Sequence, residues 1–286
     1  MTIISGHTRL CCLLADPVEH VRTPQMFNAY LDAHALDAVV VPLHVASDDL
    51  PRVVGALRGV ANLRAIIVTI PHKIAIVDLC DTLHESAQRV GAVNVVRRER
   101  NGRLSGANFD GIGFVAALES KVGRLAGRSV FIAGAGGVAR AIAFELARAG
   151  VARLLLCNRS REKGEALLLD VARAFPATAT AMVEATPRDC DIAINATSLG
   201  LHADDPLPFS IEPLGSDTAV AEVVMQPLIT PLLRVAQGRG LPIVTGDGML
   251  TAQLPFWVDF LGFDGARVAQ DASRNAASIE PQTTKG

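Results

Sequence analysis

Short apolar runs alternate along most of this chain with longer stretches in which apolar residues return every third or fourth position, the spacing of buried strands and the helices that cover them. Arg9–Ala15 (RLCCLLA), Val39–Leu43 and Leu63–Thr69 (LRAIIVT) read as strands. Thr23-Pro24 opens a helix that runs to about His34, with Thr23 as N-cap and Pro24 at the first helical position. Ser47-Asp48-Asp49 caps a second helix through Arg58, and Pro71-His72-Lys73 turns into a third. Val93–Arg98 and Arg103–Ser105 form a hairpin about Asn101-Gly102. Gly111–Ser120 is helical and links this part of the chain to the next. There, Val130–Ala133, Arg153–Cys157, Thr178–Met182, Asp191–Asn195, Ala219–Val224 and Leu241–Thr245 read as strands. Val138–Ala149, Arg161–Phe175, Pro231–Gln237 and Gly248–Phe260 read as helices, and a loop rich in Pro and Asp covers 202–217.

Strands alternating with helices in both halves predict an α/β protein of two parallel-sheet units. The expected division is an N-terminal α/β substrate domain, residues 1–107 completed by a helix at 246–270, and a dinucleotide-binding domain of Rossmann type at 108–245. The polar stretch 271–286 is expected to be a disordered tail. A crevice between the units, at the carboxyl ends of the strands, is the default place for a ligand.

The stretch Val130–Arg140 (VFIAGAGGVAR) gives that crevice its first chemistry. A buried strand runs directly into glycines, and an Ala-rich helix follows. Gly134 permits the tight turn, Gly136 lets backbone approach a pyrophosphate, and Ala139 is small where helix and strand pack. The free N–H groups of the helix start, across Gly134, Ala135, Gly136, Gly137, Val138 and Ala139, face the anion. The next strand ends in Asn158-Arg159-Ser160, where an NAD-binding unit usually places a carboxylate for the ribose 2′-hydroxyl. A guanidinium at that point binds a 2′-phosphate instead. NADP is therefore the favoured cofactor, with NAD as the alternative. Arg161 and Lys163 follow closely, and both also fit a solvated basic helix start.

Composition excludes more than it identifies. The chain has 286 residues, half of them apolar, and a net charge of −2 that leaves no electrostatic footprint for nucleic acid. It holds no apolar run long enough to span a membrane, and its first residues lack the pattern of a signal peptide. The five cysteines have no metal-ligand spacing; Cys11, Cys12 and Cys157 fall in apolar runs and read as buried thiols of a reducing compartment. A cytoplasmic protein without a metal is expected, acting on a small molecule as a monomer or homodimer.

Two polar segments sit where strands end: Thr69-Ile70-Pro71-His72-Lys73 and Asn108-Phe109-Asp110-Gly111. Hydride transfer from an alcohol needs a group that takes the hydroxyl proton and steadies the developing negative oxygen. A lysine held by a carboxylate does both, which makes Lys73 and Asp110 a candidate couple. Two plainer readings compete: Lys73 as a solvated charge, and Asp110 as N-cap of the helix beginning at Gly111.

These segments, in this order, carry a likeness. Asp16-Pro17, His20 and Thr23-Pro24; Val68–Lys73; Gly91-Ala92-Val93-Asn94; Asn108–Gly111; Gly134–Arg140; Asn158-Arg159-Ser160; Asn195–Gly200; and Gly248-Met249-Leu250 with Gln253 together resemble the shikimate/quinate dehydrogenase family over nearly the whole chain. The resemblance implies an oxidoreductase with Lys73 and Asp110 as the catalytic pair. It implies Thr69, Asn94 and Gln253 as ligands of the ring hydroxyls, and Thr23 as a ligand of the substrate carboxylate. Asn195, Thr197, Gly246 and Met249 join the cofactor set, with Asn158, Arg159, Ser160 and Lys163. His20 and His72 are read as structural. Met249, Gln253 and Trp257 recur every four residues and share one helix face, which favours burial of Gln253.

The chain also departs from the family pattern. Val21 stands where the family usually has a hydroxyl residue, Ile67 for an Asn, Val95 and Phe109 for Thr, and Glu222 and Met225 for Asp and Tyr. The resemblance thus points to a divergent, shikimate dehydrogenase-like member. It would move a hydride between NADP(H) and the ring hydroxyl or ketone of shikimate/3-dehydroshikimate or a related cyclic hydroxy acid, and its own substrate is expected to be less polar or differently substituted. The alternatives are an NAD-dependent quinate-type dehydrogenase, or a catalytically weak dinucleotide-binding regulator.

Overall fold

The computed structural model describes residues 4–19 and 21–263. His20, the stretch expected as a tail and the last residues of the helix expected to reach 270 lie outside them. Two six-stranded sheets carry the fold. The first comprises β1 (Arg9–Ala15), β2 (Ala38–His44), β3 (Leu63–Val68), β4 (Thr82–Leu83), β5 (Val95–Arg98) and β6 (Leu104–Ala107), in the order β2-β1-β3-β5-β6-β4. The second comprises β7 (Ser129–Ala133), β8 (Arg153–Cys157), β9 (Ala179–Met182), β10 (Ile192–Asn195), β11 (Ala219–Glu222) and β12 (Ile243–Val244), in the order β12-β11-β10-β7-β8-β9. The helices are α1 (Thr23–Ala33), α2 (Leu50–Leu57), α3 (Glu85–Val90), α4 (Asp110–Val122), α5 (Gly137–Arg148), α6 (Arg161–Ala174), α7 (Pro231–Gly238) and α8 (Asp247–Leu261).

The second sheet is parallel throughout, as expected. The first is not a parallel unit but a mixed sheet: β5 runs antiparallel to both β3 and β6. The Asn101-Gly102 connection dictates the pairing of β5 with β6, because strands joined by so short a turn run in opposite directions. That turn also carries the second strand of the hairpin further than expected, to Ala107.

Side chains alternate across both sheets, so each sheet buries two apolar layers. Cys11, Leu13, Ala65 and Ile67 pack towards α1 and α8, against Phe27, Leu31, Leu254 and Trp257. Cys12, Leu14, Ile66 and Val68 face Leu50 and Val54 of α2. In the second sheet Val130 and Ile132 meet Ile142 and Leu146 of α5, while Phe131 and Ala133 meet Leu232 and Leu233 of α7. A chain segment from the far C-terminal end, α8, therefore completes the core of the first sheet. The rings of Phe27 and Trp257 meet there edge to face, 5.4 Å apart.

Helix α4 holds the two sheets together. It packs against α5 on one side and α8 on the other, and two glycines permit the approach. A Cβ at Gly111 would stand 2.2 Å from the carbonyl oxygen of Ala141, and one at Gly113 2.5 Å from that of Met249.

Several local expectations are corrected. Arg22, not Thr23, is the N-cap of α1; Thr23 is its first residue and caps nothing, because Pro24 already supplies the pre-set turn. Phe109, not Asp110, is the N-cap of α4. Ser47-Asp48-Asp49 is a 3₁₀ turn ahead of α2 rather than a side-chain cap. After Lys73 the chain makes turns and a 3₁₀ segment, Ala75–Leu79, not an α-helix. Strand β4 and helix α3 are additions, the latter closed by Gly91 in the left-handed region at φ +69°. Cys11 and Cys12 are buried, and burial pushes the Cys12 thiol up to about 11; Cys157 is only half-buried.

Candidate active site

The end of β3, the start of β5 and the start of α4 converge on one polar corner. Lys73 Nζ donates to Asp110 Oδ2 at 2.6 Å. Asn94 Nδ2 donates to Asp110 Oδ1 at 2.8 Å and to Gln253 Oε1 at 2.9 Å. Asn94 Oδ1 accepts the Phe109 N–H at 3.1 Å, so both ends of this amide are paired. Asn94, Asp110 and Gln253 are each 2–3 % exposed, whereas the Lys73 side chain keeps 20 %. A buried carboxylate is costly unless paired, and here each oxygen accepts one donor. Among the described residues, the Gln253 Nε2 has no protein partner, and Lys73 spends one of its three N–H donors on Asp110.

Backbone bonds fix the corner. Asn94 N–H donates to Ala107 O, Val68 N–H to Asn94 O and Val93 N–H to Lys73 O. Asn108 Oδ1 accepts the Asp110 N–H at 3.1 Å, and the Asp110 carboxylate, inside the helix behind the N-cap Phe109, serves Lys73 and Asn94. Asp110 is thus positioned for Lys73, and the reading of Lys73 as a solvated charge is corrected with it. His72 is buried, with its ring bonded to Val45 O at 2.8 Å, a structural role as expected. Thr69 lies one residue past β3, half-buried, and Thr23 is buried at the start of α1; no hydrogen bond joins either to the four-residue network.

The glycine loop lies at the matching end of the second sheet. Gly134 takes φ +115°, and a Cβ there would stand 2.7 Å from Ala196 O. Gly136 and Gly137 are exposed, and Cβ atoms on them would meet nothing within 4 Å. Gly136 is the N-cap of α5 and offers no side-chain cap, so the first-turn N–H groups point into open space. A cradle bare of side chains in front of a helix start fits a dinucleotide pyrophosphate. Ala135 and Val138 are half-buried beside it and Ala139 is fully buried.

The strand β8 ends in Asn158, whose Nδ2 donates to Ser160 O at 2.7 Å; Ser160 Oγ in turn caps α6 by accepting the Lys163 N–H. Arg161 is paired with Glu165 at 2.7 Å. Arg159 is exposed and, among the described residues, in no ion pair, as a residue awaiting a phosphate would be.

The end of β10 carries a second buried network. Asn195 Oδ1 accepts from Thr197 N–H and Oγ–H, and its Nδ2 donates to Leu199 O and Glu222. Glu222 is fully buried; burial pushes its carboxyl up to about 7, against hydrogen bonds from Asn195, Thr230 and the N–H groups of Val223 and Val224 that pull it down. Gly246 is buried at the start of α8 and Met249 one turn on, both within the core between α4 and β11. Among the described residues, no group of three His, Cys, Asp or Glu is placed to hold a metal, and no helix is long and apolar enough to cross a membrane.

Residues 13–96 match the family of the shikimate dehydrogenase substrate binding domain, and 116–202 the family described as shikimate/quinate 5-dehydrogenase. The chain belongs to the shikimate/quinate dehydrogenase family. It is 41 % identical to the shikimate dehydrogenase (NADP(+)) of Acidiphilium cryptum, over 88 % of this chain and 89 % of that one. Among solved structures, a shikimate dehydrogenase in complex with NADP+ superposes with a TM-score of 0.84 at 31 % identity, over 98 % and 99 % of the two chains. The ligand-free 5-ketofructose reductase of a Gluconobacter strain does so with 0.82 at 33 %, over 95 % and 100 %. A shikimate dehydrogenase-like oxidoreductase is thus the class of this protein.

Sequence reading missed two contributors. Asn108 orients Asp110 through the latter's N–H, a role that an Asn two residues before a helix start signals. Glu222 stood out only as a departure from the family pattern; nothing local in the sequence marks it as the acceptor of a buried network.

Proposed function

We propose that the protein catalyses reversible hydride transfer between NADP(H) and the ring hydroxyl or ketone of shikimate/3-dehydroshikimate or a related cyclic hydroxy acid. The observation that carries this is the Lys73–Asp110 pair joined through Asn94 to Gln253. The nicotinamide accepts or supplies the hydride when bound. Lys73 as the amine takes the hydroxyl proton during oxidation, and the ammonium so formed steadies negative charge on the reacting oxygen and returns the proton during reduction. Asp110 and Asn94 keep that ammonium in place. Gln253 Nε2 and the hydroxyl of Thr69 orient the ring hydroxyls, with Asn94 beside them, and Thr23 contributes to the carboxylate.

Gly134, Ala135, Gly136, Gly137, Val138 and Ala139 would hold the pyrophosphate; Asn158, Arg159, Ser160 and Lys163 the 2′-phosphate ribose; and Asn195, Thr197, Gly246 and Met249 the nicotinamide end. Residues 1–107 with the C-terminal helix form the substrate unit and 108–245 the cofactor unit. Five free cysteines support a reducing, cytoplasmic setting.

One observation favours a second substrate reading, an uncharged polyhydroxy ketone. Val21, Ile67, Val95, Phe109 and Met225 all belong to one apolar cluster with Trp257, and the ammonium of the corner is already paired with Asp110. A carboxylate would find no partner among Val21, Ile67, Val95, Phe109 and Met225, and the similar Gluconobacter protein is named for a ketose.

The test is nicotinamide reduction by the purified protein with shikimate and with quinate, each against NADP⁺ and NAD⁺, beside Lys73→Ala. Lys73-dependent turnover with NADP⁺ is the expected result, and fast turnover of shikimate itself would show that Val21 and Phe109 do not redirect substrate choice. Turnover confined to 5-ketofructose with NADPH would select the second reading, and cofactor binding without turnover of any of these would leave the regulator alternative.

A further inference from the structure

The buried carboxylate of Glu222 has no part in the chemistry just described, yet it sits where both halves of the site are tied. It closes β11, and its Oε1 accepts the N–H groups of Val223 at 3.0 Å and Val224 at 3.1 Å. The segment so held leads to Met225, a residue packed against the cores of both sheets. The same segment is wedged against the start of α8: a Cβ on Gly246 would lie 2.4 Å from Val224 O. Helix α8 carries Gln253, which reaches Asn94 and through it Asp110 and Lys73.

The same Oε1 of Glu222 also receives Asn195 Nδ2 at 2.9 Å, with Oε2 at 3.1 Å from that nitrogen. Asn195 sets Thr197 through two hydrogen bonds, and the backbone at Ala196 abuts Gly134, the first residue of the cofactor cradle. Thr230, the N-cap of α7, donates to Oε2 at 3.1 Å. Every group bonded to this carboxylate is a donor.

We propose that Glu222 is a positioning residue that fixes the cofactor loop 195–200 in register with the segment 223–225 and so with the catalytic corner, by accepting hydrogen bonds from both at once. The part that concerns hydride transfer rests on the dehydrogenase reading above; the coupling of the two segments does not. A glutamine keeps the shape but turns an NH₂ either towards Asn195 Nδ2 and Thr230 or towards the N–H groups of Val223 and Val224, so the shared acceptor is weakened on one side. An aspartate keeps the charge but is one methylene too short to reach both.

Glu222→Gln and Glu222→Asp are to be assayed at pH 8, where the carboxylate is ionised. For Glu222→Gln, kcat is expected to fall roughly 10- to 100-fold, as small misplacements of reacting groups do. The isotope effect with deuterated NADPH should rise, while the NADPH Kd read by fluorescence should change less than kcat, since none of the groups bonded to Glu222 lies in the glycine loop itself. Glu222→Asp should lie between this variant and the natural protein. Amide hydrogen exchange supplies a readout free of turnover: segments 196–200 and 223–225 should loosen together in the folded variant. An unchanged kcat in folded Glu222→Gln, a loss carried wholly by NADPH Kd, or loosening of only one segment would overturn the proposal. Should the natural protein turn over none of the test substrates, the dehydrogenase reading fails, and the exchange experiment still decides whether Glu222 couples the two segments.

Discussion

The two candidate sites of this molecule are made of different material. The catalytic corner is built from side chains: four residues from separate elements, with Asn94 and Gln253 159 positions apart, meet through ion pair and amide. The cofactor cradle is built from backbone: consecutive residues whose main contribution is the absence of side chains. The corner should therefore fail when one polar atom is changed. The cradle should tolerate much except the addition of a Cβ.

The largest effect expected is at the corner. In Asp110→Asn one carboxylate oxygen becomes a donor, and it faces either Lys73 Nζ or Asn94 Nδ2, which are donors themselves. One bond is lost whichever way the amide turns. Loss of a placed proton-transfer group costs about 10²–10⁴-fold, and kcat for the preferred substrate should fall within that range with the fold intact by circular dichroism. Asn94→Ala comes next. It strands the buried Phe109 N–H and the Gln253 oxygen, at about 1–3 kcal/mol each. The midpoint of thermal unfolding should drop by several degrees as activity drops, whereas Asp110→Asn should separate the two.

The same contrast explains what the sequence discloses. The cradle is a local object, so its glycines, strand and helix are readable from spacing, and β7, β8, α5 and α6 lie within a residue or two of where periodicity puts them. The corner is legible only because residues of the right chemistry fall at strand ends. That Asp110 serves Lys73 rather than capping α4 goes with the helix starting one residue earlier, with Phe109 as N-cap, a boundary that spacing does not decide. Helix α3 escaped because its run is short and opens on His84 rather than a usual capping residue. The mixed order of the first sheet depends on β5 pairing back onto β3, a long-range choice for which the hairpin signal alone gives only half the answer.

Within the cradle the comparison can be sharpened residue against residue. Gly134→Ala places a Cβ against Ala196 O at 2.7 Å with φ at +115°, so the protein itself should be destabilised, by about 1–3 kcal/mol from backbone strain alone. Gly136→Ala has an ordinary φ of −79° and an empty surrounding, so its melting temperature should stay where it is. Its methyl group would instead occupy space meant for the pyrophosphate, and NADP⁺ affinity should fall at least about tenfold, near 1.4 kcal/mol. Equal melting losses in the two variants would show that the open space before α5 is not a binding space.

The smallest effect concerns which nicotinamide dinucleotide is chosen. Arg159, just past β8, and Arg161, the first residue of α6, are both exposed, and among the described residues Arg159 has no ion pair while Arg161 Nε donates to Glu165 at 2.7 Å. A guanidinium already holding a carboxylate must give it up before it can take a phosphate, whereas Arg159 has nothing to give up among the described residues. A hydrogen bond to a charged group is worth about 1.5–3 kcal/mol, and solvent screening at an exposed site keeps it towards or below the low end. Arg159→Ala should therefore raise the Kd of NADP⁺ up to about tenfold and leave that of NAD⁺ unchanged, since NAD⁺ lacks the 2′-phosphate. Arg161→Ala should leave both alone. Titration of the four protein–cofactor pairs by calorimetry reads this directly, and a larger NADP⁺ loss in Arg161→Ala than in Arg159→Ala would move the phosphate one turn into α6.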